Sequence, residues 1–143
     1  ICNPYCGPCQ NAHTITERLI VNNDQINVQI IFWTTVDDKD YRKQAVAHLL
    51  ALKSENDHHI TDKALHQWYS TPDYREFSEK YKMPAIELKR HDLEIIEMLE
   101  WIEMTGAIYT PTFFFCLDIT DPNARLHQLP AIYQAIDLSY LLT

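Results

Sequence analysis

Two cysteines separated by two residues are the part of the sequence with the most clearly defined chemistry. Cys6 and Cys9 enclose Gly7 and Pro8, and a pair with this spacing at the start of a helix can close a small disulfide ring. Pro8 stands where the first turn of a helix tolerates proline. The unpaired N–H groups and the positive end of the helix dipole would face the sulfur of Cys6, so we expect its pKa to lie below that of a free thiol. Cys6 would attack a partner disulfide, and Cys9 would resolve the mixed disulfide.

A structural zinc site is the alternative interpretation of a Cys-x-x-Cys pair. Such a site needs two further ligands, usually a second Cys-x-x-Cys or a pair of histidines. Cys2 is too close in sequence to complete a normal site, Cys116 is isolated, and the adjacent His58-His59 would point to different sides of a helix. We therefore expect no metal at the two cysteines and no cofactor other than their redox-active disulfide.

Three further residues are interpreted without a chemical role. Cys2 and Cys116 are expected to be small buried hydrophobic residues rather than a second redox centre. His13 lies one turn after Cys9 and could tune it, but a place on a solvated helix face is the expectation.

The bulk composition excludes several classes of function. With 12 lysines and arginines against 20 aspartates and glutamates, the 143-residue chain has a formal net charge of −8, so we expect no nucleic-acid partner. Its two glycines, Gly7 and Gly106, are too few for a phosphate-binding loop. No apolar stretch approaches the roughly 18–20 residues that cross a bilayer. The length predicts a single domain over residues 1–143.

Hydrophobic periodicity predicts the elements that position the cysteines. A first helix begins near Pro8, and the β-branched residues 26–32 predict a buried strand. Further helices are expected from residue 37 to about 82, with starts at Thr61 and after an N-cap at Thr71. A long helix from about 86 to 104 ends before Gly106. The remaining elements are a strand at 108–115, a hairpin arm at 125–129 and a final helix capped by Asp137.

This order of elements lacks one strand. A helix that starts on a Cys-x-x-Cys pair at a sheet edge should follow a strand, and residues 1–5 are too short to form it. We therefore expect most of a central strand to lie upstream of Ile1, unless another segment occupies its place. Without that strand, residues 26–32 and 112–115 would face each other across an unpaired gap.

Two separated motifs resemble the thioredoxin superfamily. Pro4-Tyr5-Cys6-Gly7-Pro8-Cys9 resembles its active site, and Tyr109-Thr110-Pro111-Thr112-Phe113 resembles its cis-proline loop. The chain is most similar to the thioredoxin-like domains fused to vitamin K epoxide reductase-type membrane proteins. The match is carried by Cys2 to Cys9, Val28 to Phe32, Trp68-Tyr69, Thr110 to Phe114, Leu129-Pro130 and Asp137-Leu138.

This resemblance implies an α/β thioredoxin-like fold with a helical insertion at about 37–85, between the second strand and the cis-proline strand. It implies that Pro111 is cis and lies against the Cys6–Cys9 disulfide, and that Tyr5, Thr110 and Pro111 form the substrate site. The fused relatives pass electrons to a quinone. The resemblance therefore implies an enzyme that oxidises thiol-containing proteins in the periplasm or cell envelope, tethered through an upstream membrane redox domain.

Two other functions remain open from the residues. Gly7 and Pro8 favour a disulfide reductase of the thioredoxin type, because they add no charge or donor that would stabilise a thiolate. A non-catalytic docking module is the third candidate, but docking alone does not require Cys9. Residues 26–32 hold no acidic residue where thioredoxins have one that assists proton transfer, so the proton acceptor of Cys9 is unassigned.

Overall fold

Helices make up most of the structure, a computed structural model that describes residues 1–55, 57–118 and 120–142. The helices are α1 (Gly7–Asn22), α2 (Lys43–Glu55), α3 (His58–Ser70), α4 (Tyr74–Lys80), α5 (Ala85–Lys89), α6 (Asp92–Thr105) and α7 (Leu138–Leu141), with a 3-10 helix at Ala135–Asp137. Strands β1 (Phe114–Phe115) and β2 (His127–Gln128) pair antiparallel, as the predicted hairpin requires.

Aspartate side chains set the starts of α3 and α4. The carboxylate of Asp57 accepts a hydrogen bond from the N–H of Ile60 at 3.0 Å, and that of Asp73 accepts one from Glu76 at 3.1 Å. The predicted helix start at Thr61 and the predicted N-cap at Thr71 are therefore wrong. Aspartate caps at least as well as threonine, and each aspartate satisfies an otherwise unpaired N–H of the first turn.

The helix predicted from about 86 to 104 is two helices. α5 ends at Lys89 and α6 begins after His91, whose buried ring lies 3.4 Å from Ser54 Oγ and 3.3 Å from a Glu94 carboxylate oxygen. The predicted helix end before Gly106 is confirmed: Gly106 follows α6 with φ 70°, the left-handed conformation typical of a glycine at a helix C-terminus.

The final turn of the chain also differs from the prediction. The carboxylate of Asp137 does not cap α7. It accepts a hydrogen bond from the N–H of Gln134 at 2.7 Å and thereby closes the preceding 3-10 turn.

The predicted strand at 26–32 is reduced to one bridge, in which Cys2 pairs parallel with Phe32. The N–H of Cys2 donates to Ile31 at 2.9 Å, and the carbonyl of Cys2 accepts from Trp33 at 2.8 Å. On the other side, Ile1 and Thr112 exchange two backbone hydrogen bonds, of 2.6 and 3.0 Å. Ile1 and Cys2 thus separate the two segments and pair with both. A segment forms a longer strand only where a partner strand runs beside it, and among the described residues the segment 26–32 has such a partner only at Cys2. The strand predicted at 108–115 is likewise shortened, to β1.

The main hydrophobic core surrounds α2. Every residue from Ala45 to Leu52 is buried, and helices α3, α4 and α5 pack around them. Trp68 and Phe77 fill the centre, with 0% and 2% exposure. A second cluster lies between the face of α1 that carries Ala12, Ile15 and Leu19 and the C-terminal residues from Leu129 onward. α1 therefore carries the cysteines between two cores.

Among the described residues, no helix combines the length and apolar character needed to cross a membrane. The thioredoxin-like fold stays a prediction, because a helical structure with one two-stranded sheet neither establishes nor excludes it.

Candidate functional site

The Cys6–Cys9 pair lies at the N-terminus of α1, as the spacing predicts. Cys6 is the N-cap residue with extended backbone angles (φ −89°, ψ 123°), and its carbonyl accepts from Gln10 at 3.1 Å. Gly7 and Pro8 are exposed, Cys6 is half-buried, and Cys9 has no exposed surface. All four cysteines of the chain are free thiols in this structure. A partner can therefore reach Cys6, whereas Cys9 is covered.

The loop around Pro111 lies directly against Cys6. The Thr110–Pro111 peptide bond is cis, as the resemblance implied, and the Cys6 thiol donates to the carbonyl of Thr110 at 3.7 Å. The fold thus brings Cys6 and the loop together from positions 104 residues apart. A thiol beside the backbone of such a loop is an arrangement that can hold an extended peptide next to the reacting sulfur.

Trp68 anchors the segment that leads into Cys6. Its indole N–H donates to the carbonyl of Pro4 at 2.7 Å, and both residues are fully buried. The ring of Tyr5 packs edge-on against Trp68 with ring centroids 5.2 Å apart, and it also contacts Tyr41 at 5.2 Å. The structure therefore places Tyr5 against α3 and the residues before α2. Trp68 therefore supports the site as well as the hydrophobic core.

Cys2 belongs to the site, although the sequence analysis gave it no role. Its thiol interacts with that of Cys9, and the pKa of Cys9 lies far above that of a free thiol. The interaction with Cys2 is the largest cause of this elevation, and burial is the second. The same interaction lowers the pKa of Cys2. The backbone N–H of Asn3 also donates to the Cys9 sulfur at 3.4 Å. The interaction between the two thiols therefore favours the protonated form of Cys9 and the thiolate form of Cys2. The only signal in the sequence was a third cysteine near the pair.

Tyr69 is the second residue that sequence reasoning did not connect with the thiols. Burial raises the pKa of its hydroxyl, and the neighbouring thiols of Cys2 and Cys9 raise it further. The hydroxyl makes no well-formed hydrogen bond among the described residues. It therefore stays protonated beside the cysteines.

The predicted fall in the pKa of Cys6 is wrong for this structure. Burial raises the pKa of the Cys6 thiol and outweighs the opposite effects of hydrogen bonding with Thr110 and with the backbone N–H of Cys9. Gly7 and Pro8 bring no charged group, and among the described residues no cationic side chain is one of the leading influences on the pKa of Cys6. Partial burial without a compensating positive charge favours the neutral thiol.

The group of described side chains that could hold a metal ion includes none of the cysteines. It consists of His13, Glu17 and His66. His13 is 7% exposed rather than part of a solvated helix face, which corrects the expectation for this residue.

Comparison of the chain with models of known protein families, with curated proteins and with solved structures gave no significant match.

Proposed function

We propose that this chain is a thiol–disulfide oxidoreductase domain in which Cys6 is the nucleophile and Cys9 the resolving thiol. The observation that carries the proposal is the half-exposed Cys6 thiol at the start of α1, 3.7 Å from the Thr110 carbonyl and in front of a fully buried Cys9. Reactive cysteines are accessible and lie at helix N-termini, whereas structural cysteines are buried and inert. Partners would be proteins that contain thiols or disulfides.

The exchange needs no group beyond the two cysteines. The Cys6 thiolate attacks a substrate disulfide, a mixed disulfide forms, and one substrate sulfur leaves as a thiol after taking up a proton. Cys9 then attacks the Cys6 sulfur, the bond between Cys6 and the substrate breaks, and the proton given up by Cys9 is balanced by the one that the second substrate sulfur takes up as it leaves as a thiol. The cysteine pair is thereby oxidised by two electrons to the Cys6–Cys9 disulfide, and the substrate disulfide is reduced to two thiols. In the opposite direction, the same steps oxidise a substrate dithiol.

The direction of exchange separates two candidate functions. The family resemblance supports oxidation of envelope proteins, with a quinone-linked membrane partner that removes the electrons. The raised pKa of Cys6 supports the second candidate, a disulfide reductase. A domain is a strong oxidant when its reduced, thiolate form is stabilised, and burial of Cys6 acts against that stabilisation. A docking module is the weakest candidate, because it needs no thiol behind Cys6.

Disulfide exchange with insulin or a glutathione redox buffer tests the proposal. We expect Cys6→Ser to abolish exchange and Cys9→Ser to accumulate a mixed disulfide at Cys6, because resolution is blocked. Cys116→Ser is the matched control and should keep full exchange. Undiminished exchange by the Cys6→Ser variant would contradict the assignment.

The reduction potential of the pair decides the direction. A value near that of thioredoxin, about −270 mV, would support the reductase, and a value near that of a strong periplasmic oxidant, about −120 mV, would support the oxidase.

A further inference from the structure

Helices α1 and α3 bring two histidines and one glutamate together on the side of α1 that faces α3. His13 and Glu17 lie one turn apart on the same face of α1, and His66 comes from α3, 49 residues further along the chain than Glu17. Nε2 of His13 lies 3.1 Å from one carboxylate oxygen of Glu17, and Nδ1 of His66 lies 3.1 Å from the other. One ligand atom from each of the three residues lies within 4.8 Å of the other two.

His13 is the member of the cluster that ordinary packing leaves unexplained. The residue is only 7% exposed, and its Nε2 atom is buried without a hydrogen-bond partner among the described residues. The nearest Glu17 oxygen lies within hydrogen-bonding distance of this nitrogen, but not in a direction that allows a hydrogen bond. The ring is held by stacking on Tyr69, with centroids 5.0 Å apart and planes at 28°. A buried, unpaired imidazole nitrogen calls for a missing partner.

The spacing of the three side chains suits a tetrahedral ion with nitrogen and oxygen ligands. Zinc binds histidine nitrogen and carboxylate oxygen at about 2.0–2.2 Å, which places neighbouring ligand atoms about 3.3 Å apart. Each histidine nitrogen lies 3.1 Å, close to that value, from a different oxygen of Glu17, so binding through a single oxygen needs a small adjustment of the side chains. The side chain of His66 is 62% exposed and that of Glu17 35%, so both can adjust to a buried His13. The ligand set has no sulfur.

We propose that His13, Glu17 and His66 bind one divalent transition-metal ion of the zinc class. Three protein ligands leave a fourth position, and two of the three, Glu17 and His66, line a groove together with Asp62, Lys63 and Lys80. The carboxylate of Glu17 and the net charge of −8 favour a cation, while Lys63 and Lys80 oppose it. The ion would tie α3 to the helix that carries Cys6 and Cys9. This site does not depend on the proposed thiol exchange.

Calorimetric titration of the full chain with Zn²⁺ tests the proposal. We expect one ion per chain, and a loss of affinity of at least about tenfold in Glu17→Gln and in His66→Ala, because each removes a ligand. Both substitutions are at partly or largely exposed side chains, so folding should be retained. His58→Ala, an exposed histidine on the same helix, is the matched control and should bind as the parent does. Zn²⁺ should also raise the melting temperature of the parent more than that of His66→Ala.

The cysteines could bind the same ion, and Co²⁺ as a spectroscopic probe separates the two sites. The proposed site predicts d–d bands of a nitrogen- and oxygen-ligated ion without thiolate charge-transfer absorption. Thiolate bands, binding that is unchanged in both Glu17→Gln and His66→Ala, or no binding at all would each overturn the proposal.

Discussion

Replacing Trp68 by phenylalanine should destabilise the protein through the segment that precedes Cys6. The indole N–H donates to the carbonyl of Pro4 at 2.7 Å, and neither residue is exposed. Phenylalanine keeps an aromatic ring against Tyr5 and Phe77, which contact Trp68 at 5.2 and 5.3 Å. Phenylalanine cannot donate the hydrogen bond, and its side chain has one ring where the indole has two. The substitution therefore removes that bond and one ring.

Two contributions make up the expected loss. A buried carbonyl left without its donor costs about 1–3 kcal/mol, and the void beside the smaller ring costs about 1 kcal/mol more. We therefore expect Trp68→Phe to lower the free energy of unfolding by about 2–4 kcal/mol. For a chain of this length, each kcal/mol shifts the melting temperature by about 3 °C, so the melting temperature should fall by about 6–12 °C.

Urea denaturation followed by circular dichroism measures the loss, and Trp101→Phe is the matched control. Trp101 is half-buried and packs edge-on against Phe114 at 5.4 Å, with no hydrogen bond to its indole nitrogen among the described residues. The control should therefore lose distinctly less stability than Trp68→Phe. Alkylation of Cys6 should change in rate only in Trp68→Phe, because Pro4 leads into the cysteine motif. Equal losses of stability in the two variants would refute the role of the hydrogen bond.

Two further predictions follow from the pKa shifts. Cys2→Ala should lower the pKa of Cys9, because the interaction with Cys2 is the largest cause of its elevation. The pH dependence of Cys9 alkylation, in a variant that also lacks Cys6, measures this pKa. An unchanged or higher pKa of Cys9 would contradict the prediction. Asp40→Asn should lower the free energy of unfolding by about 1.5–3 kcal/mol at neutral pH. The reason is that hydrogen bonds from Arg42 hold the pKa of Asp40 well below its usual range. A lowered pKa in the folded state means that this stabilisation is complete above the unfolded value of about 3.9 and is lost as the pH falls below it. The difference from the parent should therefore shrink in acid, whereas Asp38→Asn, at a 96% exposed carboxylate, should leave stability almost unchanged at any pH.

Local signals in the sequence determined the element that carries the cysteines. The apolar spacing after Pro8 predicted α1, and the helix indeed runs from Gly7 to Asn22 with Ala12, Ile15 and Leu19 buried. Gly106 ends α6 because glycine adopts a positive φ without strain. These features depend on residues a few positions apart, so the sequence alone sufficed to predict them.

Elements that need a distant partner could not be predicted in the same way. Residues 26–32 have the β-branched composition of a strand, but only Cys2 pairs with them, and a strand requires a neighbour along its length. The break between α5 and α6 likewise coincides with the contact of His91 with Ser54 of α2 rather than with any local stop signal. Composition predicts what a segment can form, whereas its partners decide what it does form.

The same division holds at the cysteines. The spacing of Cys6 and Cys9 identified the pair, and a motif resemblance placed Pro111 beside it. In the structure the carbonyl of Thr110, the residue before Pro111, contacts the Cys6 thiol. The direction of the Cys6 pKa shift, the contact of Cys2 with Cys9, and the meeting of His13 with His66 were decided only by tertiary structure. Burial and contacts between distant segments control a pKa or a ligand geometry, and neither quantity is encoded in residue spacing along the chain.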